Sequence, residues 1–163
     1  MWRKAGDLAV TNRPKQIGTK AETAVVRAAQ SRGFPMAERR ALRGRHDVGD
    51  VLLCPGLVLE VKGGDMARRA SDALVSKWLL ETERERINAN AEHAFLVVQR
   101  GGVGPRNAHQ WHAYWTAGGW AWLLGHDLPD SLSGSTIRTS LESSLAALVA
   151  NGWGDELEEV EPA

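Results

Sequence analysis

The sequence predicts one α/β domain in which a mixed β-sheet is flanked by helices. The chain has 163 residues, its apolar positions follow helical spacing in some segments and strand spacing in others, and neither a linker nor a repeat divides it. Its one cysteine, Cys54, excludes an internal disulfide and a four-cysteine metal cluster. No apolar run approaches the roughly 18 residues of a membrane span, and the N-terminus lacks a signal-peptide core. We therefore expect a cytoplasmic protein, of a prokaryote or of a phage-infected host, without membrane contact.

The elements are expected in the order helix, three strands, helix, two or three strands, helix. Helical apolar spacing covers three segments: 19–33, 72–91 and 135–150. Aliphatic or alternating runs predict the strands: 36–43, 48–53, 57–62, 94–99, 110–116 and 120–124. In the long middle helix we expect Trp78, Leu79 and Ile87 to face the core, while Glu81 and Glu85 face water.

Charge is segregated along the chain although the formal net charge is zero. Residues 1–45 hold eleven Lys and Arg against three acidic residues, and residues 151–163 hold five acidic residues and no basic one. We predict a flexible basic arm over 1–17, a folded domain over 18–152 and an acidic tail over 153–163. A basic first half suits a polyanionic partner such as nucleic acid.

Two of the predicted strands form a hairpin with dissimilar faces. If Cys54-Pro55-Gly56 is its loop, Leu53 pairs with Leu57 and Asp50 lies opposite Glu60. The face expected in the core is wholly apolar: Val51, Leu53, Leu57, Leu59 and Val61. The other face carries charge: Val48, Asp50, Leu52, Val58, Glu60 and Lys62. Two ionised carboxylates facing each other at about 4.5–5.5 Å repel when nothing lies between them.

Protonation, a neighbouring cation or a bridging divalent metal would each relieve this repulsion. The metal explains most, because carboxylate oxygens with room for water suit Mg²⁺, with Mn²⁺ as a substitute. Lys62 lies on the same face and can orient or help deprotonate a water, or hold a phosphate. The pattern therefore favours phosphodiester hydrolysis. The alternative is an ordinary charged pair on a solvated sheet face.

Glu22, Val48-Gly49-Asp50-Val51 and Leu59-Glu60-Val61-Lys62 together resemble the PD-(D/E)XK nuclease superfamily, over about residues 18–100. Within it, the chain is most similar to the small Holliday junction resolvases, archaeal-type and phage-encoded. The resemblance implies a restriction-endonuclease-like core and a Mg²⁺-dependent homodimer that cuts branched DNA by paired nicks. It makes four residues catalytic: Asp50, Glu60, Lys62 and Glu22. It assigns the metal to Asp50, Glu60, Val61 and Glu22, and Val61 offers main-chain atoms only.

The chain departs from the family pattern in two places. Gly49 stands where a proline is expected, and the tryptophan-rich segment beyond residue 105 has no counterpart. Trp111 and Trp115 are interpreted as core or dimer contacts, as are Trp120 and Trp122, in preference to platforms for unpaired bases.

The other candidate residues each allow a functional and a structural interpretation. Glu22 either joins the acidic cluster or only closes a capping box with Thr19, and Asp47 ranks second to Asp50. Six arginines are expected to grip DNA phosphates, with ordinary solvated surface as the alternative: Arg39, Arg40, Arg43, Arg45, Arg68 and Arg69.

Two other functions compete with junction resolution. One is a related nuclease of repair, recombination or restriction that cuts a different DNA substrate. The other is a nucleic-acid-binding module whose acidic cluster is structural.

Overall fold

A mixed six-stranded sheet organises the residues that the computed structural model describes, 13–40 and 48–157. The strands lie side by side in chain order: β1 Glu38–Arg39, β2 Val51–Cys54, β3 Leu57–Lys62, β4 His93–Val98, β5 His112–Thr116 and β6 Thr136–Ser140. Only β3 and β4 are parallel. The helices are α1 Arg13–Gln30, α2 Gly64–Arg68, α3 Asp72–Asn88, α4 Ala117–Leu123, α5 Asp130–Ser133 and α6 Leu141–Ala150, with a 3-10 helix over Pro105–Gln110. None of these helices is both long and apolar enough to cross a membrane. The predicted α/β class with a mixed, helix-flanked sheet is confirmed.

Helix α1 begins earlier than its capping-box motif predicts. It starts at Arg13 and ends at Gln30, so Thr19 lies inside the helix. The Thr-x-x-Glu pattern is therefore not an N-terminal cap, and residues 13–17 belong to the helix instead of to a flexible arm. Residues 1–12 of the predicted arm lie outside the described residues. The buried alanines and valine of α1 pack in the large core cluster with Leu59 and Val61 of β3.

The hairpin has the predicted register, with one difference at its loop. Val51 pairs with Leu59 and Leu52 with Val58, but the register shifts between Leu52 and Cys54, so that Cys54 pairs with Leu57. The predicted pairing of Leu53 with Leu57 is therefore wrong. The alternation is unaffected, because the apolar face still enters the large core cluster: Val51, Leu53, Leu57, Leu59 and Val61. The predicted strand at 36–43 is reduced to Glu38–Arg39 in the described residues, and 41–47 lie outside them.

Helix α3 connects the parallel strands β3 and β4 and covers the other face of the sheet. Ser71 caps it, its side chain accepting a hydrogen bond from the Leu74 amide. Its apolar side packs Val75, Trp78 and Leu79 against Leu96 and Val98 of β4. The predicted orientation of its last turns is wrong, since Ile87 is 67% exposed.

The C-terminal half contains two wrong predictions of secondary structure. The expected strand at 120–124 is part of α4, which Thr116 caps by accepting from the Gly119 amide. The expected helix at 135–150 contains β6 first, and α6 begins only at Leu141. Thr136–Ser140 offers alternation too weak to predict a strand, and its pairing with β5 decides it.

Trp111 and Trp115 are fully buried, as predicted for core residues. The Trp115 ring stacks on Phe95 with centroids 4.6 Å apart, and its Nε1 donates to Ser144 Oγ at 2.8 Å. Trp120 packs against the same core, whereas Trp122 is 57% exposed.

The start of the predicted acidic tail is docked on the domain. Trp153 packs against the core, and the Asp155 amide donates to the Gly33 carbonyl at 2.7 Å. Residues 158–163 lie outside the described residues.

Candidate active site

The charged face of the hairpin brings together Asp50, Glu60 and Lys62. The Asp50 amide donates to the Leu59 carbonyl at 2.8 Å, and Asp50 Oδ2 accepts from the Val61 amide at 2.9 Å. Lys62 Nζ donates to Glu60 Oε1 at 2.5 Å. The three residues therefore lie together on one face of the hairpin, as the strand alternation predicts. Val61 takes part through its main chain, while its side chain lies in the core.

Gly49 sets the entry of the chain into this site. Its φ is 90°, and a Cβ there would lie 3.2 Å from the Leu59 carbonyl oxygen. A proline is locked near φ of about −65° and is therefore incompatible with this backbone. The local geometry therefore favours glycine at this position and excludes proline.

Glu60 is buried beneath α3, where its carboxyl meets that of Glu85. The two residues are 4% and 6% exposed. The two carboxyls are close enough for each to disfavour ionisation of the other. Within the described residues, no group donates a hydrogen bond to Glu60 Oε2. A buried carboxylate oxygen without a donor is costly, and a proton or a cation relieves that cost.

Both facing acids have pKa values raised well above the ordinary carboxyl range. Burial first, and then the Glu60 carboxylate, raise the pKa of Asp50 to about 8, although the Val61 hydrogen bond opposes the shift. Burial and the Glu85 carboxyl raise the pKa of Glu60 to about 8, against the lowering effect of Lys62. Carboxyl pKa values displaced this far are typical of functional sites, where a bound cation or a reacting group interacts with the acids.

Lys62 remains a cation in this surrounding. Burial lowers its pKa, but the Glu60 and Asp50 carboxylates outweigh that effect and keep the pKa above its ordinary value. Its Nζ also lies 5.8 Å from the centroid of the Trp78 ring, within the range of a cation–π contact. The amine is thus a charged donor fixed beside the two acids.

Glu22 lies near this cluster, on α1. Its negative charge contributes to the raised pKa of Asp50. Its Oε2 accepts from Arg39 Nε at 2.8 Å, and Arg39 Nη2 also donates to Thr19 Oγ1 at 3.3 Å. Arg39, expected to grip DNA, therefore neutralises Glu22 in this structure.

The other predicted arginines are placed less centrally. Arg40 Nη1 donates to the Val48 carbonyl at 2.7 Å and thereby ties β1 to the segment before β2. Arg68 forms an exposed ion pair with Asp65 at 3.1 Å, and Arg69 is exposed. Arg43 and Arg45, like Asp47, lie outside the described residues.

Glu85 is the site residue that the sequence reasoning assigned wrongly, to the solvated face of α3. The signal lies in the helical spacing, because Glu85 follows Trp78 by seven residues and Thr82 by three, and so falls on the helix face that Trp78 is predicted to bury. Charge alone predicts exposure for Glu85, whereas the structure buries it beside Glu60.

A divalent cation fits the residues of this site. No group of three or more His, Cys, Asp or Glu side chains in 13–40 and 48–157 is arranged as a ready metal site. The donor set is nevertheless suitable, because Asp50 and Glu60 offer carboxylate oxygens and Glu60 Oε2 has no donor partner among the described residues. Glu22 and the main chain of Val61 are the further ligands that the family resemblance implies.

Comparison with known proteins adds no assignment to this site. No protein-family model, curated protein or solved structure matches the chain.

Proposed function

We propose that this chain is a divalent-metal-dependent DNA endonuclease that cuts four-way junctions by paired nicks. One observation carries the proposal: Asp50 and Glu60 meet beside Lys62 on a half-buried sheet face where Glu60 itself is buried, and their pKa values are both raised to about 8. An ordinary solvated pair of charges would not be buried beneath a helix. Burying two acids is unfavourable for folding, and a bound cation offsets that cost.

The residues divide the chemistry among them. A divalent cation, when bound, would stabilise negative charge on the phosphate and lower the pKa of a water molecule. Asp50 and Glu60 would hold the cation, and the Val61 amide keeps Asp50 Oδ2 in place. Lys62 is protonated, so its role is to hold the phosphate or to orient the water as a hydrogen-bond donor.

The choice of DNA junctions rests on the motif resemblance, and the fold order supports it. A helix, three antiparallel strands, a covering helix and a parallel fourth strand agree with the restriction-endonuclease-like core that the resemblance implies. Paired nicks at a four-way junction need two equivalent sites, which a two-fold homodimer supplies.

A second candidate is a nucleic-acid-binding module with a structural acidic cluster. The internal pairing of charges favours it, because Lys62 already neutralises Glu60 and Arg39 already neutralises Glu22. In that case the cluster would need no metal, and substitutions in it would leave nucleic-acid binding unchanged.

The deciding experiment compares a synthetic four-way junction with a linear duplex of the same sequence. Each is incubated with the full chain in Mg²⁺ or in EDTA, and products are resolved on denaturing gels. We expect symmetric nicks near the crossover in Mg²⁺ only, lost in Lys62→Ala. Lys77→Ala is the matched control, since Lys77 is an exposed lysine of α3.

Each outcome separates the candidates. Equal cutting of junction and duplex would replace junction resolution with a general nuclease activity. No cutting under any metal, with binding equal in wild type and Lys62→Ala, would establish the binding module.

A further inference from the structure

A second charged feature lies along α1, where this helix faces the 3-10 helix. It is a groove of about 510 Å³ between α1 and the 3-10 helix. Four basic side chains line it: Lys20, Arg27, Arg32 and Arg106. We call it the basic groove. Since the whole chain has no net charge, this concentration of cations is local.

Most of these cations are available to a ligand. Lys20, Arg27 and Arg106 are exposed, and within the described part of the chain none of them forms an ion pair. Arg32 differs, because it interacts with Glu142 at 3.6 Å and donates to Ser31 Oγ at 2.9 Å. By contrast, Arg39 and Arg40, which the sequence favoured as phosphate contacts, are engaged by Glu22 and the Val48 carbonyl.

The basic groove begins beside the candidate active site. Thr19 lines the groove and also accepts a hydrogen bond from Arg39, the residue that binds Glu22. In the other direction, a cavity of about 300 Å³ shares Lys20 and Pro105 with the groove and reaches Arg68. The cations thus form a continuous path along α1.

The spacing along α1 matches a nucleic-acid strand. Lys20 and Arg27 are seven residues apart on one helix face, about 10 Å along the helix axis. Phosphates of one DNA strand advance about 3.4 Å per base pair along the duplex axis, so the two side chains span about three steps. A small anion would need only one end of such a path.

We propose that the basic groove binds the phosphodiester backbone of a DNA duplex arm that leaves the cut site. The proposal rests on the proposed function in taking DNA as the ligand. The contacts are of the kind that position DNA without reading its sequence, since lysine and arginine meet phosphates there. Arg39 and Arg40, which are engaged within the chain, are consequently not the principal phosphate contacts.

The test measures binding apart from cleavage. A fluorescent four-way junction is titrated with the full chain in EDTA, at a series of salt concentrations, by anisotropy. The variant is Lys20→Gln with Arg27→Gln, and the matched control is Lys77→Gln with Arg84→Gln, which removes two exposed cations from α3. Thermal melting verifies that all proteins are folded.

We expect the groove variant to bind on the order of tenfold more weakly and to lose about 2 from the slope of log K against log salt. The control should retain the slope of the wild type. Equal slopes for wild type and the groove variant would overturn the inference. Binding in EDTA is measured without metal chemistry, so the two proposals can fail separately. A reduced slope for the groove variant, with no nicking by wild type in Mg²⁺, would refute the nuclease and leave the groove assigned. Equal slopes, with nicking in Mg²⁺, would refute the groove and leave the nuclease.

Discussion

The two faces of the β2–β3 hairpin are built from alternate residues of the same strands, yet they have opposite effects on the stability of the fold. One face is apolar and buried in the main core, with Val51, Leu53 and Leu59 all fully inaccessible. The other buries Glu60 under α3 and holds Asp50 and Lys62 beside it. The first face stabilises the fold, whereas the second lowers stability for the sake of a charged site. The contrast shows that one strand pair can hold a stabilising apolar face and a costly charged face, which is what the proposed active site requires.

The largest expected effect is on activity, through Asp50→Asn. The amide still accepts from Val61, so the fold is preserved while a carboxylate is lost. We expect Mg²⁺-dependent cleavage to fall on the order of 10²–10³-fold, because charge stabilisation at the phosphate depends on this acid. Rates of junction nicking measure it, with the exposed Asp65→Asn as control. Unchanged nicking would remove Asp50 from the active site.

The next effect concerns the apolar face. Leu59 is fully buried, so Leu59→Ala should lower the free energy of unfolding by about 2–5 kcal/mol through lost burial and a cavity. Leu80 is 64% exposed, and Leu80→Ala should have an effect of about 0.5 kcal/mol or less. Urea denaturation compares the two. Equal effects would contradict the assignment of this face to the core.

On the charged face, we expect a smaller change in the free energy of unfolding for each unit of pH. Asp50 and Glu60 have pKa values of about 8 in the folded chain, against ordinary values of 3.8 and 4.5. The folded state therefore retains protons that the unfolded chain releases, so stability falls as pH rises from about 4.5 to about 8. Each such group contributes at most about 1.4 kcal/mol per pH unit.

Denaturation in EDTA across this pH range measures the decline. Glu60→Gln should flatten it and should make the protein more stable than wild type near pH 8. A wild-type stability that rises over the same range would show that the acids are ionised and paired in the folded chain.

The smallest effect is expected at the edge of the charged face. Arg39 and Glu22 form an ion pair in which Arg39 is 42% exposed, so Arg39→Ala should change stability by less than about 1 kcal/mol. A double-mutant cycle with Glu22→Gln isolates the pair. A coupling of several kcal/mol would mean that Glu22 is held by Arg39 as a structural element of the fold.

The amino-acid sequence predicts the hairpin and its two faces, because side chains alternate along a strand whatever the loop does. It was enough to place Asp50, Glu60 and Lys62 together and to predict Trp111 and Trp115 in the core. It did not place Glu85, since the phase of a helix on a sheet depends on which side packs. Nor did it reveal β6, because Thr136–Ser140 becomes a strand by pairing with β5. Periodicity is a local property that can be recognised in the sequence. Burial of a charge and pairing with a distant strand depend on tertiary contacts, which exist only in the folded chain.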